Sequence, residues 1–328
     1  MRSAALRLML VCLLAAAVAG PALAEKYSIL TCNTGLLRVL GFDLVPAVVD
    51  RSRAAARELS AFAAEHRPDI IFLQEVWKNS AASAIAKELA PLGYACIRSK
   101  GCGLLHIGSG LLLLVRPPLH VVEWSFTPFT KRRGLEIVTR KGILAAVLGD
   151  AAAGGSRFVL VGTHTAALAT VEGRPKEKSQ LDAFLDQVRQ VLAVLDSVSS
   201  AGQLPAVLLG DFNVGPGYAE EGYRAIAEAP GIIEAGEHLH PDLPFATWDP
   251  LNPLVRLGWY PDEPSAKIDH IFLRGGGSRS WQVNGARRVF DATAAGISVR
   301  DPGAGMAVAA PLSDHYGFLA EVELGSVR

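Results

Sequence analysis

The chain has 328 residues, half of them hydrophobic, with 32 basic side chains against 32 acidic ones. That length allows one large domain or two small ones around a sizeable core. The balanced charge argues against a protein that holds nucleic acid through its phosphates, which needs a clear basic excess or a basic stripe.

The first segment reads as an export signal. Arg2 and Arg7 precede an apolar run from Leu8 to Val18, then Gly20, Pro21 and the small triplet Ala22-Leu23-Ala24. Cleavage is expected after Ala24, leaving a single domain over 25–328, placed in the periplasm or the medium. The apolar run is short for a bilayer span, which needs roughly 20 residues. Without Arg2 and Arg7, 30 basic side chains face 32 acidic ones, a net of −2. The basic clusters are short: Lys131-Arg132-Arg133 with Arg140-Lys141, and Arg287-Arg288. In an exported protein Cys96 and Cys102 can close a small disulfide loop. Cys32, in an apolar run, reads as a buried thiol.

In chain order, Tyr27–Thr31 is a short apolar run, and Val45–Glu65 has helical spacing closed by Pro68. Asp69–Val76 has the character of a buried strand, Ser80–Leu89 of a helix and Leu111–Val115 of a strand. Ile143–Leu148 and Phe158–Thr163 form an adjacent pair joined by a turn at Gly154-Gly155. Lys176–Val198 is a long amphipathic helix. Ala206–Gly210, Ile268–Leu273 and Gly317–Leu324 complete the strands. The Gly-rich stretch Gly275–Asp314 carries no clear pattern beyond room for a hairpin or loops. The alternation predicts an α/β sandwich, two sheets face to face with helices outside.

Several of these runs end in polar residues. Tyr27–Cys32 ends at Asn33, Asp69–Leu73 at Gln74-Glu75, and Phe158–Thr163 at His164. Asp211-Phe212-Asn213 follow Val207–Gly210, Asp269-His270 continue from Ile268, and Ser313-Asp314-His315 precede the last strand. Taken singly, each is an ordinary turn residue, cap or surface pair. Together, strand-end polar groups can converge at one edge of a sandwich.

The order of these pieces resembles the endonuclease/exonuclease/phosphatase superfamily, which includes DNase I and the neutral sphingomyelinases. The matching segments are Thr31-Cys32-Asn33-Thr34, Ile71–Val76, Gly162-Thr163-His164, Leu209–Asn213, Ile268–Ile271 and Leu312–His315. The resemblance implies a four-layer α/β/β/α sandwich of two mixed sheets and a metal-dependent phosphodiesterase. It gives Glu75, Asn33 and Asp314 to the metal, Mg²⁺ or another divalent ion such as Mn²⁺ or Co²⁺. It makes His315 the general base, Asp269 its partner, Asp211 and Asn213 the groups that orient nucleophile and phosphate, and His164 a donor to developing charge.

Gly108-Ser109-Gly110-Leu111, Arg140-Lys141-Gly142 and Thr247-Trp248-Asp249-Pro250 resemble the sphingomyelinase branch. Lys141 and Trp248 are therefore expected to bind substrate, a phospholipid at a membrane surface, with no stable nucleic-acid partner and a monomeric enzyme. The segment from Pro244 to Tyr260 concentrates Phe245, Trp248, Leu251, Leu254, Val255, Leu257, Trp259 and Tyr260. It suits either a membrane interface or a loop folded over its own core. Bacterial members of the branch carry an aromatic hairpin late in the chain, whereas Val299–Pro311 has no aromatic residue. An extracytoplasmic nuclease on the same fold, or a catalytically silent binding or toxin-type subunit, are the alternative readings.

Overall fold

The computed structural model describes residues 24–39, 42–99, 108–132, 139–168, 170–171, 174–239, 245–258, 261–303 and 305–326. The expected signal segment before Ala24, Cys102 of the expected disulfide, and Trp259 and Tyr260 lie outside the described residues. The main elements are β1 (Glu25–Asn33), α1 (Val48–His66), β2 (Ile70–Gln74), α2 (Asn79–Leu89), β3 (Ala95–Arg98), β4 (Leu112–Val115) and β5 (Leu119–Pro128). They continue with β6 (Gly142–Asp150), β7 (Ser156–His164), α3 (Lys178–Val198), β8 (Ala206–Asp211), α4 (Glu220–Ala227), β9 (Ile232–Glu234) and α5 (Pro253–Arg256). The last are β10 (Asp269–Arg274), β11 (Arg279–Val289), β12 (Ser298–Asp301), β13 (Met306–Ala309) and β14 (Gly317–Ser326).

The strands form two six-stranded mixed sheets. One has the order β11-β14-β1-β2-β4-β3, the other β9-β10-β8-β7-β6-β5. Each contains one parallel pair near its centre, β1 with β2 and β7 with β8, among antiparallel neighbours. Side-chain alternation decides which residues meet between the sheets. Ile29, Phe72, Leu160, Leu209, Ile271 and Phe318 share the inter-sheet core. The opposite faces are covered by helices. Ala55, Leu59 and Ala63 of α1 pack on the first sheet, and Phe184, Val188, Val191 and Leu195 of α3 pack on the second. The four-layer sandwich expected from the sequence is the observed architecture. Among the described residues, no helix is long and apolar enough to cross a membrane.

Two glycines set the spacing. A Cβ at Gly162 would come within 2.2 Å of the Phe72 ring on the facing sheet, and one at Gly210 within 2.0 Å of the Thr163 carbonyl. Both lie one or two residues from His164 or Asp211, so the two sheets and two strands close tightly beneath those side chains.

Gly275–Asp314 is more regular than its sequence suggests. It supplies β11, which pairs along β14 with a bulge between Val283 and Gly285, and the β12–β13 hairpin. The segment 245–258 resolves the choice left open above in favour of packing. Phe245 meets Phe318 with ring centroids 5.2 Å apart, Leu254 and Val255 are buried, and Leu257 packs against the α1 side of the core. Leu251 is the exception at 84% exposed.

Candidate active site

Strand alternation delivers the polar set to one place. Asn33 lies two and four residues beyond Thr31 and the inter-sheet Ile29. His164 continues the face of Leu160, Asp211 that of Leu209, and Asp269 precedes Ile271 on the same face. All four side chains therefore emerge between the sheets at the end where the strands stop. Glu75 and Asn213, just past β2 and β8, take left-handed backbone conformations at φ 59° and 54°. For a residue with a Cβ this costs roughly 1 kcal/mol or more, held here by surrounding bonds. The Thr34 amide and hydroxyl donate to the Gln74 carbonyl at 3.0 and 2.8 Å, and Val76 N donates to Gly110 O at 2.9 Å.

The acid–base centre is a chain of short contacts. His315 Nδ1 donates to Asp269 Oδ2 at 2.9 Å, which leaves Nε2 facing Asp211 Oδ2 at 3.8 Å. Burial opposes protonation of His315, but Asp269 and then Asp211 outweigh it and raise its pKa to about 10. Asp211 is fixed by Asn33 Nδ2 at 2.8 Å on Oδ2 and by its own Asx turn, Asn213 N to Oδ1, at 2.8 Å. Burial, then Asp269, raise the Asp211 carboxyl to about 6. On the other side, Lys141 Nζ donates to His164 Nε2 at 2.9 Å and to the Thr165 carbonyl at 2.8 Å. Burial, then Lys141 and His315, hold His164 well below the ordinary histidine range. His164 is thus a neutral acceptor at Nε2, and the cationic donor beside it is Lys141.

Glu75 and Asp314 make up the third part. The Glu75 carboxylate has His164 Nε2 at 4.0 Å as its nearest ionic neighbour, and burial followed by Asp314 raises it to about 7. Asp314 Oδ1 accepts from Ser313 Oγ at 3.0 Å and presses on Gly35, where an added Cβ would fall 2.2 Å from it. Asn33 Oδ1 accepts from Gly35 N at 2.9 Å, orienting the amide. Nine of the ten residues expected from the sequence, Lys141 and Trp248 among them, line one cavity of about 410 Å³; Asp269, which bonds His315 from behind, is the one that does not. Trp248 packs edge-on against His315 with centroids 5.0 Å apart.

Residues 30–315 match the Endonuclease/Exonuclease/phosphatase family. The chain belongs to this family. Its members hydrolyse phosphodiester bonds, and the two mixed sheets with flanking helices are the family's fold. Among solved structures, SmcL superposes with a TM-score of 0.69 at 18% identity, covering 92% of this chain and 99% of its own. Sphingomyelinase C from Streptomyces griseocarneus gives 0.67 at 24% identity, covering 90% and 99%. Beta toxin from Staphylococcus aureus, solved with bound magnesium ions, gives 0.67 at 14% identity, covering 92% and 100%. Humanized D. rerio TDP2 gives 0.63 at 16% identity, covering 90% and 98%. No curated protein matches the chain by sequence.

Within this family member, two groups of donors compete for a cation. Asp211, Asp269 and His315 place one ligand atom each within 4.8 Å of one another. Their atoms, however, are largely engaged with each other, with Asn33 and with the Asn213 amide. Glu75, half-buried, and buried Asp314 form a like-charged pair with hard oxygen donors, met from a distance by Arg51 and Lys141 but by no ion pair of their own closer than His164 at 4.0 Å from Glu75 among the described residues. They fit a divalent cation better, with Asn33 beside them.

Several supporting residues carried no legible signal. Arg51, fully buried on α1, donates to the carbonyls of Thr34 at 2.8 Å, Gly35 at 2.5 Å and Pro46 at 2.9 Å, tying the Asn33 loop to the helix. Asn252 Nδ2 holds the Ser313 and Asp314 carbonyls at 2.8 and 3.2 Å. Thr247 Oγ1 accepts from the Ile268 and Asp269 amides at 3.0 and 3.1 Å. Trp77, lining the cavity, rests on Gly110, whose absent Cβ would sit 3.0 Å from the indole. Gly110 belongs to the Gly108-Ser109-Gly110 motif, the one available hint.

Proposed function

We propose that this chain is an exported, divalent-cation-dependent phosphodiesterase that releases the head group of a choline phospholipid, sphingomyelin foremost. The observation that carries the reading is the His315–Asp269 pair facing Asp211 in a cavity whose wall also has an apolar share. Leu37, Val45, Leu168, Leu254 and Val255 line it together with the polar groups. The neighbouring folds of sphingomyelinase C and beta toxin support the same choice.

A divalent cation held by Glu75 and Asp314, with Asn33 beside them, would neutralise phosphate oxygens, sharpen the attacking water and offset the carboxylate charge that keeps His315 protonated. The protein's own groups do the rest. Asp269 fixes the tautomer and orientation of His315, so that Nε2 takes a proton from the water as its oxygen bonds to phosphorus. The bond from phosphorus to the lipid oxygen breaks, the departing alkoxide takes a proton from solvent water to leave as the alcohol, and Lys141 is the cationic donor placed for charge gathering on the oxygens. Asn33 and the Asn213 amide keep Asp211 aimed at the nucleophile's side of His315.

Two members of the basic clusters are already paired among the described residues, which supports the lipid reading over a polyanion. Lys131 pairs with Asp186 at 3.1 Å and Arg288 with Asp291 at 3.2 Å. Purified protein with Mg²⁺ should hydrolyse sphingomyelin in liposomes and leave plasmid DNA intact. Cleavage of DNA in a steeply salt-dependent way, without release of phosphocholine from liposomes, would replace the lipid reading with a nuclease.

A further inference from the structure

We propose that Glu263, with the rings of Tyr218 and Trp248, forms a subsite for the quaternary ammonium of the head group and so sets the enzyme's preference for choline esters. The inference rests on the phospholipid reading above and deepens it.

All three residues line the same cavity as His315 and Asp211. Glu263 is half-buried and held by neutral donors: Thr170 N at 3.4 Å, the Thr170 hydroxyl, and Tyr218 OH at 3.3 Å. Among the described residues it forms no ion pair with a Lys, Arg or His. A carboxylate in a partly apolar wall is costly unless its charge is met, and here hydrogen bonds fix its position without cancelling its charge. The same cavity wall carries Lys141 and the cation-seeking Glu75–Asp314 pair, which suit an anion. The cavity is therefore bipolar, and the ligand that matches it is a zwitterion carrying phosphate and a fixed positive charge.

The hydrogen-bond inventory narrows the cation. A carboxylate offers about four lone-pair sites, and three donors already occupy Glu263. A primary ammonium, with three N–H groups to satisfy, would find too few acceptors. A trimethylammonium needs charge and polarisable surface alone, which Glu263 and the aromatic rings of Tyr218 and Trp248 supply. Tyr218 follows Asn213 by five residues in the loop that leaves β8, and Trp248 pairs through its backbone with Ala266, three residues after Glu263. The subsite is thus attached to the same strand ends as the reacting groups.

The test compares p-nitrophenyl phosphorylcholine with bis(p-nitrophenyl) phosphate, which has no cation. In Glu263→Gln the ratio of kcat/KM on the choline ester to that on the bis ester should fall at least about tenfold, chiefly through KM, with the melting temperature close to wild type. An unaltered ratio, or a loss equal on both substrates, overturns the subsite while the phospholipid reading stands. If wild type cleaves the bis ester and no choline ester, the phospholipid reading fails and takes the subsite with it. A measurement that needs no variant guards against misfolding. Phosphocholine should inhibit wild type at least about tenfold better than phosphoethanolamine, and equal or reversed inhibition overturns the proposal.

Discussion

Asp269 and His270 are consecutive residues on β10, and each belongs to a different buried polar cluster. On the His270 side, Lys267 Nζ binds Glu234 and also donates to His270 Nδ1 at 3.0 Å, while His270 Nε2 donates to the Val214 carbonyl at 2.9 Å. Glu234 Oε2 accepts from the Glu237 amide at 2.7 Å. Burial would raise the Glu234 carboxyl, but Lys267 overrides it and holds the pKa near 2. On the Asp269 side, Glu75, Asp211, Asp269 and Asp314 face Lys141 and His315, and two of those carboxyls are pushed up instead, to about 7 and about 6. One cluster closes its charge from within. The other sets four carboxyls against Lys141, His315 and the neighbouring Arg51 guanidinium, and we propose that a cation completes it. Equal burial therefore does not make the two equivalent: the first is framework, the second a site.

The largest expected effects break the second cluster chemically. His315→Ala should slow hydrolysis by roughly 10²–10⁴-fold with the fold intact, the range for a positioned general base. Single-turnover rates with matched circular dichroism check it. In the first cluster, Lys267→Met should instead destabilise by about 3–5 kcal/mol, since it leaves Glu234 buried and unpaired. The turnover of molecules that remain folded should stay near wild type. Denaturant melts with activity normalised to folded fraction separate the two behaviours, and similar signatures in both variants would erase the distinction.

A pH series sharpens the comparison. The Glu75, Asp211 and His315 values in the fold all lie above their ordinary ones. Their contribution to the stability of the metal-free protein is therefore complete at low pH and lost as pH rises. For Glu75 the loss falls between about 4.5 and 7, and for His315 between 6.5 and about 10. Glu234 behaves oppositely, stabilising above 4.5 and failing only as pH falls through about 2. Mg²⁺ should accordingly raise the melting temperature more at pH 8 than at pH 5. In Asp269→Asn the acidic limb of kcat/KM should move to lower pH, because the lost carboxylate favours the imidazolium. An unmoved limb would detach Asp269 from His315 in function.

The smallest effect concerns the rim. Leu251 is exposed three residues before Leu254 and four before Val255, which line the cavity. Leu251→Ser should lower activity on liposomes by a few-fold, in line with about 25 cal/mol per Å² of apolar area leaving water. Its melting temperature and its rate on a soluble ester should stay close to wild type. Equal rates on liposomes would place the membrane contact elsewhere.

The polar strand ends were legible because β1, β2, β7, β8 and β10 are buried on both faces and read as uninterrupted apolar runs with abrupt ends. The Gly154-Gly155 turn was legible for a related reason, with both residues at positive φ. Strands at or near sheet edges were not. β5 leaves most of its ten residues exposed or half-exposed, and β11 alternates weakly across its bulge, so neither shows a clear period. The 245–258 segment stayed ambiguous through composition, since Trp248, Leu254 and Val255 suit a core as well as a membrane. Arg51, Asn252 and Thr247 act by gripping distant backbone carbonyls and amides. That function has no local pattern, and only the assembled fold reveals it.

The central claim is that the Asp269 side of β10 is completed by a cation and the His270 side is not. Titration calorimetry of Mg²⁺ into the purified protein tests it most directly, at pH 6.5 in two buffers of different ionisation enthalpy. The account predicts one saturable site with net proton release, since Glu75 with a pKa of about 7 is partly protonated there. It also predicts loss of that binding in Glu75→Gln and its retention in Lys267→Met molecules that remain folded. Saturable binding that is the same in wild type and Glu75→Gln, or no binding at all, would contradict it.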